Sequence, residues 1–340
     1  MKTKLNKLVR KNILSLQPYS SARSEYSGRD GVFLDANENP FGDLNRYPDP
    51  YQKELKEKLS EIKSIPTENI FIGNGSDEVI DLAFRIFCNP AKDKALAFSP
   101  TYSMYEVSAD INDVELIKIP LLPSFQIDFK ALEKHLDDER LKLIFVCSPN
   151  NPTGNSIKNI DSVLQKFKGI VIVDEAYSDF SKSSSYINKI KQYPNLIVLQ
   201  TFSKAWGLAA ARVGTAYADA PVISILNKVK PPYNVSELNQ RAALQALENA
   251  AEFEKRKALI LEEKESMEKQ LNALPVIKRV YPSDANFILV EAQDGNRVYD
   301  ALVNQKVIIR NRTGVLKNCL RITVGSPEEN QKLLNSLNQL

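Results

Sequence analysis

The amino-acid sequence predicts an α/β protein whose central sheet is mostly parallel. Between residues 70 and 216, short runs rich in β-branched residues alternate with helix-prone stretches, which is typical of parallel strands joined by helices. The runs are apolar at successive positions, as expected of strands that are covered on both faces. With 340 residues, the chain has room for about two domains at the usual ~100 to 200 residues per domain.

The first predicted strand is followed by the clearest helical pattern in the chain. Apolar residues recur at helical spacing from Asp77 to Phe87, and Ser76 stands where an N-cap residue is expected. The same succession of strand and helix repeats along this part of the sequence, and it supports the α/β prediction. The predicted strands are 70–72, 95–98, 143–146, 170–173 and 196–199.

The C-terminal part of the chain predicts a long helix and then a small α+β unit. The segment from Ser236 to Leu274 is rich in Ala, Leu, Glu and Lys, and Pro275 ends it. We expect the amphipathic N-terminal segment, residues 5–16, to pack beside the small unit. Within that unit the predicted strands are 287–290, 307–309 and 320–324, and the predicted helices are 297–304 and 327–337.

Charge and composition exclude several classes of function. The 45 basic residues nearly balance the 42 acidic ones and are dispersed, so nucleic acid is not an expected partner. No apolar run approaches the ~20 residues that cross a bilayer, and no secretory leader pattern is found, so we expect a soluble, cytoplasmic protein. The single histidine, His135, argues against a histidine base or a metal cluster. Cys88, Cys147 and Cys319 are widely spaced and are expected to be buried free thiols.

The most informative pattern is a lysine that follows an acidic strand end. Lys204 lies thirty residues after Asp174, and Tyr177 and Arg212 accompany these two residues. An aldehyde cofactor needs a lysine to hold it as a Schiff base, an acid to keep its pyridine nitrogen protonated, and donors for its phenolate and phosphate oxygens. The four residues supply that set, so the sequence predicts pyridoxal phosphate as the cofactor.

Two loops at the ends of predicted strands strengthen this prediction. Gly73–Glu78 opens a helix, and the bare backbone amides and positive dipole of a helix N-terminus favour a phosphate. The stretch is not a dinucleotide fingerprint, because Glu78 stands in the place of the third glycine, and no P-loop lysine follows. Ser148–Gly154 comes directly after a strand, at the carboxyl edge of the sheet where α/β proteins bind ligands.

These motifs, in this order, resemble the fold type I aminotransferases that depend on pyridoxal phosphate, and they closely resemble the histidinol-phosphate aminotransferase group. The resemblance extends over nearly the whole chain through Pro18–Arg23, Asp35–Pro40, Asn45–Pro50 and Cys319–Gly325. It implies a large domain, with a mostly parallel seven-stranded sheet flanked by helices, and a smaller α+β domain. The implied limits are 1–28 for an N-terminal arm, 29–44 and 245–340 for the small domain, and 45–244 for the large cofactor-binding domain.

The resemblance also implies a role for each residue of the cofactor site. Lys204 would carry the Schiff base, Asp174 would pair with the pyridinium nitrogen, and Tyr102 would stack on the cofactor ring. The phenolate oxygen would accept hydrogen bonds from Tyr177 and Asn151. The residues implied at the phosphate are Ser76, Asp77, Thr201, Ser203 and Arg212.

Further residues are implied at the partner subunit and at the substrate. Tyr47 matches a tyrosine that reaches the cofactor phosphate of the partner subunit, which implies a homodimer with shared active sites. Arg321 matches the arginine that grips the α-carboxylate of dicarboxylic substrates, and Arg310 matches a second basic group at the distal anion. Tyr19 matches a residue at the substrate's phosphate end, and Asn37 matches one near its amino-bearing part.

The implied reaction is ping-pong transamination in histidine biosynthesis, from L-histidinol phosphate and 2-oxoglutarate to imidazole acetol phosphate and L-glutamate. Between Arg310 and Arg321 the chain is a little shorter than in some members of the group, and Arg312 lies nearby, so which arginine faces the substrate stays open. An aromatic amino acid aminotransferase or a phospho-amino-acid decarboxylase of the same fold is the alternative. A cofactor-binding regulator would need a DNA-reading module, for which the chain has neither spare length nor a basic helix.

Overall fold

A computed structural model describes residues 2–19 and 31–340, with side chains from Leu5 onward. The larger of its two sheets has seven strands in the order β1-β7-β6-β5-β4-β2-β3. Strands β2 to β6 pair in parallel, whereas β7 is antiparallel to both of its neighbours. The prediction of a mostly parallel seven-stranded sheet is therefore confirmed. The strands are β1 Ile70–Asn74, β2 Lys94–Ser99, β3 Glu115–Pro120, β4 Leu141–Cys147, β5 Ile170–Asp174, β6 Leu196–Thr201 and β7 Val213–Ala218.

Helices cover both faces of this sheet, which explains why its strands are apolar at successive positions. In β5, Val171 and Val173 belong to the core on one face, whereas Ile170 and Ile172 belong to the core on the other. The three cysteines are buried free thiols, as predicted. The helices before residue 250 are α1 Lys2–Leu8, α2 Lys11–Ser15, α3 Lys53–Lys63, α4 Ser76–Phe87, α5 Met104–Ile111, α6 Phe129–Glu133, α7 Ile160–Lys166, α8 Ala220–Val229 and α9 Glu237–Glu248.

The smaller sheet has four antiparallel strands in the order β10-β11-β9-β8. Its core lies between the sheet and three helices, where Met267, Leu271, Val298 and Leu334 pack against the strands. The strands are β8 Ile277–Tyr281, β9 Phe287–Ala292, β10 Arg310–Asn311 and β11 Cys319–Thr323, and the helices are α10 Ala250–Ala273, α11 Gly295–Asn304 and α12 Pro327–Leu337.

Three local predictions are wrong, and each has a physical reason. The long helix from Ser236 to Leu274 is two helices, because the backbone at Asn249 leaves the helical conformation; α9 packs on the large-sheet core and α10 on the small one. Residues 307–309 form no strand, because only residues 310–311 pair with β11. Ser76 does not cap α4: Gly75, with φ of 77°, precedes the helix, and Ser76 is its first residue.

The N-terminal segment packs on the large unit, so the prediction that it lies beside the small one is wrong. Val9 and Ile13 enter the same core as α4 and α8. The backbone N–H of Arg10 donates to the carbonyl of Ile86 at 2.9 Å, and Lys228 Nζ donates to the carbonyl of Leu14 at 2.8 Å. The apolar residues of this segment are buried against apolar residues of α4 and α8. The rest of the predicted arm, residues 20–28, lies outside the described residues.

The two cores also bear on where one domain ends and the next begins. Leu247 at the end of α9 packs in the large-sheet core, whereas Met267 in α10 packs in the small-sheet core. The limits 45–244 and 245–340, and the assignment of 29–44 to the small domain, stay predictions.

In the described ranges, no helix combines the length and the apolarity needed to cross a membrane.

The contact between β7 and the start of α4 leads to a testable prediction. A Cβ atom at Gly214 would lie 2.2 Å from the backbone nitrogen of Ser76 and 2.4 Å from the carbonyl carbon of Gly75. We expect Gly214→Ala to lower the free energy of unfolding by about 1 to 3 kcal/mol, because backbone must move to make room. Gly314→Ala is the matched control, since a Cβ there meets nothing within 4 Å, and it should change stability by less than about 0.5 kcal/mol. Urea unfolding of both variants tests the difference, and equal stabilities would contradict this account.

Candidate active site

A cavity opens at the carboxyl edge of the large sheet. Cys147, Asp174 and Thr201 end the neighbouring strands β4, β5 and β6 there, and Ser76 brings in the N-terminus of α4. Ten of the eleven residues predicted for the cofactor line this one cavity, although they come from positions spread over more than a hundred residues of sequence. They are Ser76, Asp77, Tyr102, Asn151, Asp174, Tyr177, Thr201, Ser203, Lys204 and Arg212. Cys147 and Ala176 line it as well and were not predicted.

One end of the cavity is built to hold an anion. The N-terminus of α4 lies beside Arg212, whose Nη1 donates to Ser203 Oγ at 3.5 Å and whose Nη2 forms an ion pair with Asp77 at 3.4 Å. Thr201 Oγ1 accepts the backbone N–H of Ser203 at 3.1 Å and orders the loop. A Cβ atom at Gly75 would lie 2.6 Å from Arg212 Nη2, so glycine is required for this approach. Backbone amides, hydroxyls and a guanidinium together suit a phosphate.

The opposite end of the cavity contains a buried carboxylate. Asp174 is only 2% exposed; its Oδ1 accepts the backbone N–H of Ala176 at 3.1 Å, and its Oδ2 accepts the hydroxyl of Tyr105 at 2.7 Å. Burial raises the pKa of Asp174, whereas the two hydrogen bonds and the charge of Lys204 act to lower it. A cation in the cavity would compensate the charge of such a carboxylate. The protonated ring nitrogen of pyridoxal phosphate is a cation of this kind.

Tyr105 is a site residue that the sequence analysis missed. It is the second residue of α5, three positions after Tyr102, and is fully buried beneath the cavity. Helical spacing did not signal it, because Tyr102 lies before Met104, the first residue of the helix. Its partner Asp174 is distant in sequence, and only the fold brings the two residues together.

Lys204 lines the same cavity as Asp174. Its Nζ lies 5.7 Å from the centre of the Tyr177 ring, and the residue is partly exposed to solvent. Partial desolvation by the surrounding protein lowers the pKa of Lys204, and the nearby Arg321 guanidinium lowers it further. Both causes increase the fraction of neutral amine, which is the form that can attack an aldehyde or take a proton.

Tyr177 and Asn151 form the pair that was predicted for the phenolate oxygen. Asn151 Nδ2 donates to Tyr177 Oη at 3.5 Å, and Asn151 Oδ1 accepts a hydrogen bond from Arg321 Nη1. This second bond orients the amide so that its N–H group faces the tyrosine. Burial raises the pKa of Tyr177, while the charge of Arg321 opposes that rise, so the hydroxyl stays a proton donor.

None of the five predicted partner and substrate residues lines this cavity itself. Tyr47 stacks on Tyr233 with ring centres 4.4 Å apart, and it borders a separate groove together with Asn37. Tyr19 is exposed, and Arg310 is exposed on the short strand β10. Of the predicted substrate residues, Arg321 alone reaches the cavity wall, through its contact with Asn151. The roles of these residues stay predictions.

The fold and the cavity define an α/β enzyme whose lysine, buried carboxylate and anion cradle suit one aldehyde cofactor with a cationic ring and a phosphate. The family model for aminotransferases of class I and II matches residues 26–337. The chain belongs to that family, and it is a pyridoxal-phosphate-dependent aminotransferase.

Several known proteins that are similar to this chain are histidinol-phosphate aminotransferases. A histidinol-phosphate aminotransferase of Cytophaga hutchinsonii is 50% identical over 342 residues, which cover 98% of each chain. Another, of Bacteroides thetaiotaomicron, is 50% identical over 343 residues and 99% of each chain. The crystal structure of histidinol-phosphate aminotransferase from Clostridium acetobutylicum matches with a TM-score of 0.80 at 25% identity, over 87% of this chain and 90% of that one. The Sinorhizobium meliloti enzyme, solved in complex with pyridoxal 5'-phosphate, matches in fold with a TM-score of 0.78 at 23% identity, over 89% of both chains.

The electrostatics of Lys204 lead to a prediction about the cofactor-free protein. Its reaction with added pyridoxal phosphate needs the neutral amine, so the rate should rise with pH to a plateau above the pKa of Lys204. Because the Arg321 charge lowers that pKa, Arg321→Gln should raise it and move the midpoint of the rate profile to higher pH. The control is Arg279→Gln, which removes an exposed arginine of the small sheet and should leave the midpoint in place. A midpoint that stays, or moves to lower pH, in Arg321→Gln would contradict the assigned cause.

Proposed function

We propose that this protein transfers the amino group of L-histidinol phosphate to 2-oxoglutarate, giving imidazole acetol phosphate and L-glutamate in histidine biosynthesis. The observation that carries the proposal is the cavity around Lys204 in a chain that is 50% identical, over 98% of its length, to a histidinol-phosphate aminotransferase. The proposal includes a cytoplasmic location, as the sequence analysis predicts.

The cofactor and Lys204 divide the chemistry between them. When bound, pyridoxal phosphate supplies an aldehyde that condenses with amines and a cationic ring that accepts the electron pair released at the substrate's Cα. Lys204 Nζ, with its lowered pKa, serves as the base that takes the Cα proton and later returns it. A lysine that does this removes the need for a catalytic histidine, which agrees with the single histidine, His135, lying outside the cavity lining.

The other lining residues hold the cofactor in place and tune it. Asp174 would face the ring nitrogen and favour its protonated state, because an adjacent carboxylate raises the pKa of a cationic group. Tyr177 and Asn151 would donate to the phenolate oxygen, and Tyr102 would cover the ring. Tyr102 is oriented by its own hydroxyl, which donates to Asp77 Oδ1 at 3.1 Å.

Arginines of the small sheet supply the proposed substrate site. Arg310 lies directly opposite Arg321 in the β10–β11 pair, and the backbone N–H of Arg312 continues that pairing by donating to the carbonyl of Cys319 at 3.0 Å. The three side chains therefore start from the same face of the sheet, since side-chain direction alternates along a strand. None of them forms an ion pair with a carboxylate in the part of the chain that the structure describes. Like charges facing each other are unfavourable until an anion binds between them.

This arrangement suits both proposed substrates in turn. Glutamate presents two carboxylates, whereas histidinol phosphate presents a single phosphate, so a flexible set of guanidinium groups can serve each half-reaction. We assign Arg321 to the anion nearest Lys204, because it contacts the cavity wall at Asn151 and influences the pKa of Lys204. Arg310, Tyr19 and Asn37 are assigned to the distal parts of the substrate.

The proposal also includes a homodimer with shared active sites. Tyr47 lies outside the cavity of its own chain, as expected of a residue that serves the cavity of a partner subunit. The segment before it has large apolar side chains that are more than four-fifths exposed in the single chain, namely Val32, Leu34 and Phe41. An exposed apolar stretch of this kind favours contact with another protein surface, here a second copy of the chain.

The substrate assignment predicts which amines react with the loaded enzyme. Histidinol phosphate and glutamate should each convert the bound cofactor from its aldehyde to its amine form, as followed by absorbance. Tyrosine and threonine phosphate should react far more slowly. Lys204→Ala should slow conversion by about 10²- to 10⁴-fold, because the base is lost. Conversion by tyrosine in place of histidinol phosphate would favour an aromatic aminotransferase, and release of carbon dioxide from threonine phosphate would favour a decarboxylase.

The shared-site proposal predicts that two defective variants complement each other. In a hybrid of Lys204→Ala and Tyr47→Ala subunits, one site combines both defects and the other combines two intact residues. If the subunits mix at random, the mixture should reach about a quarter of wild-type activity, well above either variant alone. The control is the mixture of Lys204→Ala with Lys204→Arg, in which no intact site can form. Absence of recovery in mixtures whose hybrid content is verified would refute the sharing of sites through Tyr47.

A further inference from the structure

Tyr105 lies beneath the cofactor cavity and touches its carboxylate end. The side chain is fully buried, and its hydroxyl donates to Asp174 Oδ2 at 2.7 Å. The ring stacks on Phe145 with centres 4.7 Å apart and meets Tyr102 edge to face at 5.6 Å. Contacts on both sides therefore fix the direction in which the hydroxyl points.

We propose that Tyr105 is a positioning residue for the cofactor: its hydroxyl holds the Asp174 carboxylate ionised and oriented, so that the negative charge faces the ring nitrogen of pyridoxal phosphate. This inference rests on the proposed function only in requiring that cofactor, and it is independent of which amine is the substrate.

The geometry leaves Asp174 little rotational freedom. Each of its oxygens accepts one hydrogen bond, Oδ1 from the backbone N–H of Ala176 and Oδ2 from Tyr105. Two donors on opposite oxygens fix the plane of the carboxylate. Each oxygen keeps a further lone pair that can accept a donor, and Asp174 lines the cavity. Without the hydroxyl, one oxygen would lose its partner inside the protein, where the desolvation of an unpaired charge is costly.

The charges around Asp174 show why a donor is needed there. Burial is the largest influence on its pKa and raises it, and the carboxylate of Asp77 acts in the same direction. Against these act Tyr105, the Ala176 N–H and the charge of Lys204. The other titratable groups that face it are Tyr102, Cys147 and Tyr177. All three are neutral at neutral pH, because the pKa of each is raised. None of them therefore carries a positive charge that would keep Asp174 ionised.

Tyr105 itself remains a donor over the working pH range. Burial and the adjacent Asp174 raise its pKa well above the usual value for tyrosine. Tyr102 and Tyr105 thus act from one segment on two sides of the cofactor site: the first faces the cavity beside the ring, and the second supports the carboxylate below it.

Tyr105→Phe tests the proposal, because it removes the hydroxyl and keeps the ring and its stacking. We expect its dissociation constant for pyridoxal phosphate to rise about 10- to 100-fold, the loss that corresponds to one buried hydrogen bond to a charged group. We also expect the nitrogen NMR signal of bound cofactor, isotopically labelled at the ring nitrogen, to move towards the unprotonated form. In the half-reaction with glutamate, kcat should fall while KM changes little.

Tyr193→Phe is the matched control. Tyr193 is also buried, and its hydroxyl also donates to an aspartate, Asp161 Oδ1 at 3.1 Å, but neither residue lines the cavity. This variant should leave the affinity for pyridoxal phosphate and the nitrogen signal as in the wild type. Thermal unfolding of both variants separates a loss of stability from a loss of positioning.

Asp174→Asn completes a double-mutant cycle. If Tyr105 acts through the carboxylate, Tyr105→Phe should weaken binding of pyridoxal phosphate much less in the Asp174→Asn background than in the wild type. The proposal is overturned if Tyr105→Phe behaves like Tyr193→Phe, or if its effect is the same in both backgrounds. Neither result depends on histidinol phosphate, whereas a wild-type protein that fails to bind pyridoxal phosphate would overturn the proposed function itself.

Discussion

A carboxylate buried at the end of a central parallel strand is the constraint on which the rest of the site depends. Asp174 ends β5, between β4 and β6, where both faces of the sheet are covered. A charge in that position is unfavourable unless donors and a cation compensate it. The protein supplies the donors through Tyr105 and Ala176, and in the proposed site the ring nitrogen of pyridoxal phosphate would supply the cation. Cofactor and protein would then complete each other, and the most buried part of the site would also be the part that makes the cofactor reactive.

The second structural requirement is that the small unit must contact the large one at the cavity. The backbone N–H of Asp284 donates to the carbonyl of Gly154 at 2.7 Å, and Asp284 Oδ2 accepts the N–H of Ser156 at 3.0 Å. Phe287 packs edge to face on Tyr177 with ring centres 5.1 Å apart. Arg321 reaches across from β11 to Asn151. The wall of the cofactor cavity is thus supported by the small unit, which also carries the proposed substrate arginines.

This connection has a consequence for catalysis. The Arg321 charge lies close enough to lower the pKa of Lys204 and to oppose the rise in the pKa of Tyr177. An anionic substrate that neutralises Arg321 would remove part of both effects. Substrate binding would then favour the protonated form of Lys204, which is the form the residue must adopt when it takes the Cα proton. Substrate recognition and proton transfer would be coupled through one guanidinium group.

The sequence by itself determined the class of fold and the chemistry of the cofactor site. Lysine, aspartate and arginine stand near strand ends and helix starts, and parallel strands bring such positions to one edge of a sheet. Apolar runs such as 170–173 also identified the buried strands correctly. The tertiary structure alone decided features that depend on long-range contacts: the antiparallel β7, the break at Asn249, the packing of the N-terminal segment on the large core, and the bond from Tyr105 to Asp174. Each of these depends on which distant surface is available for burial or pairing, and local pattern in a single chain does not contain that information.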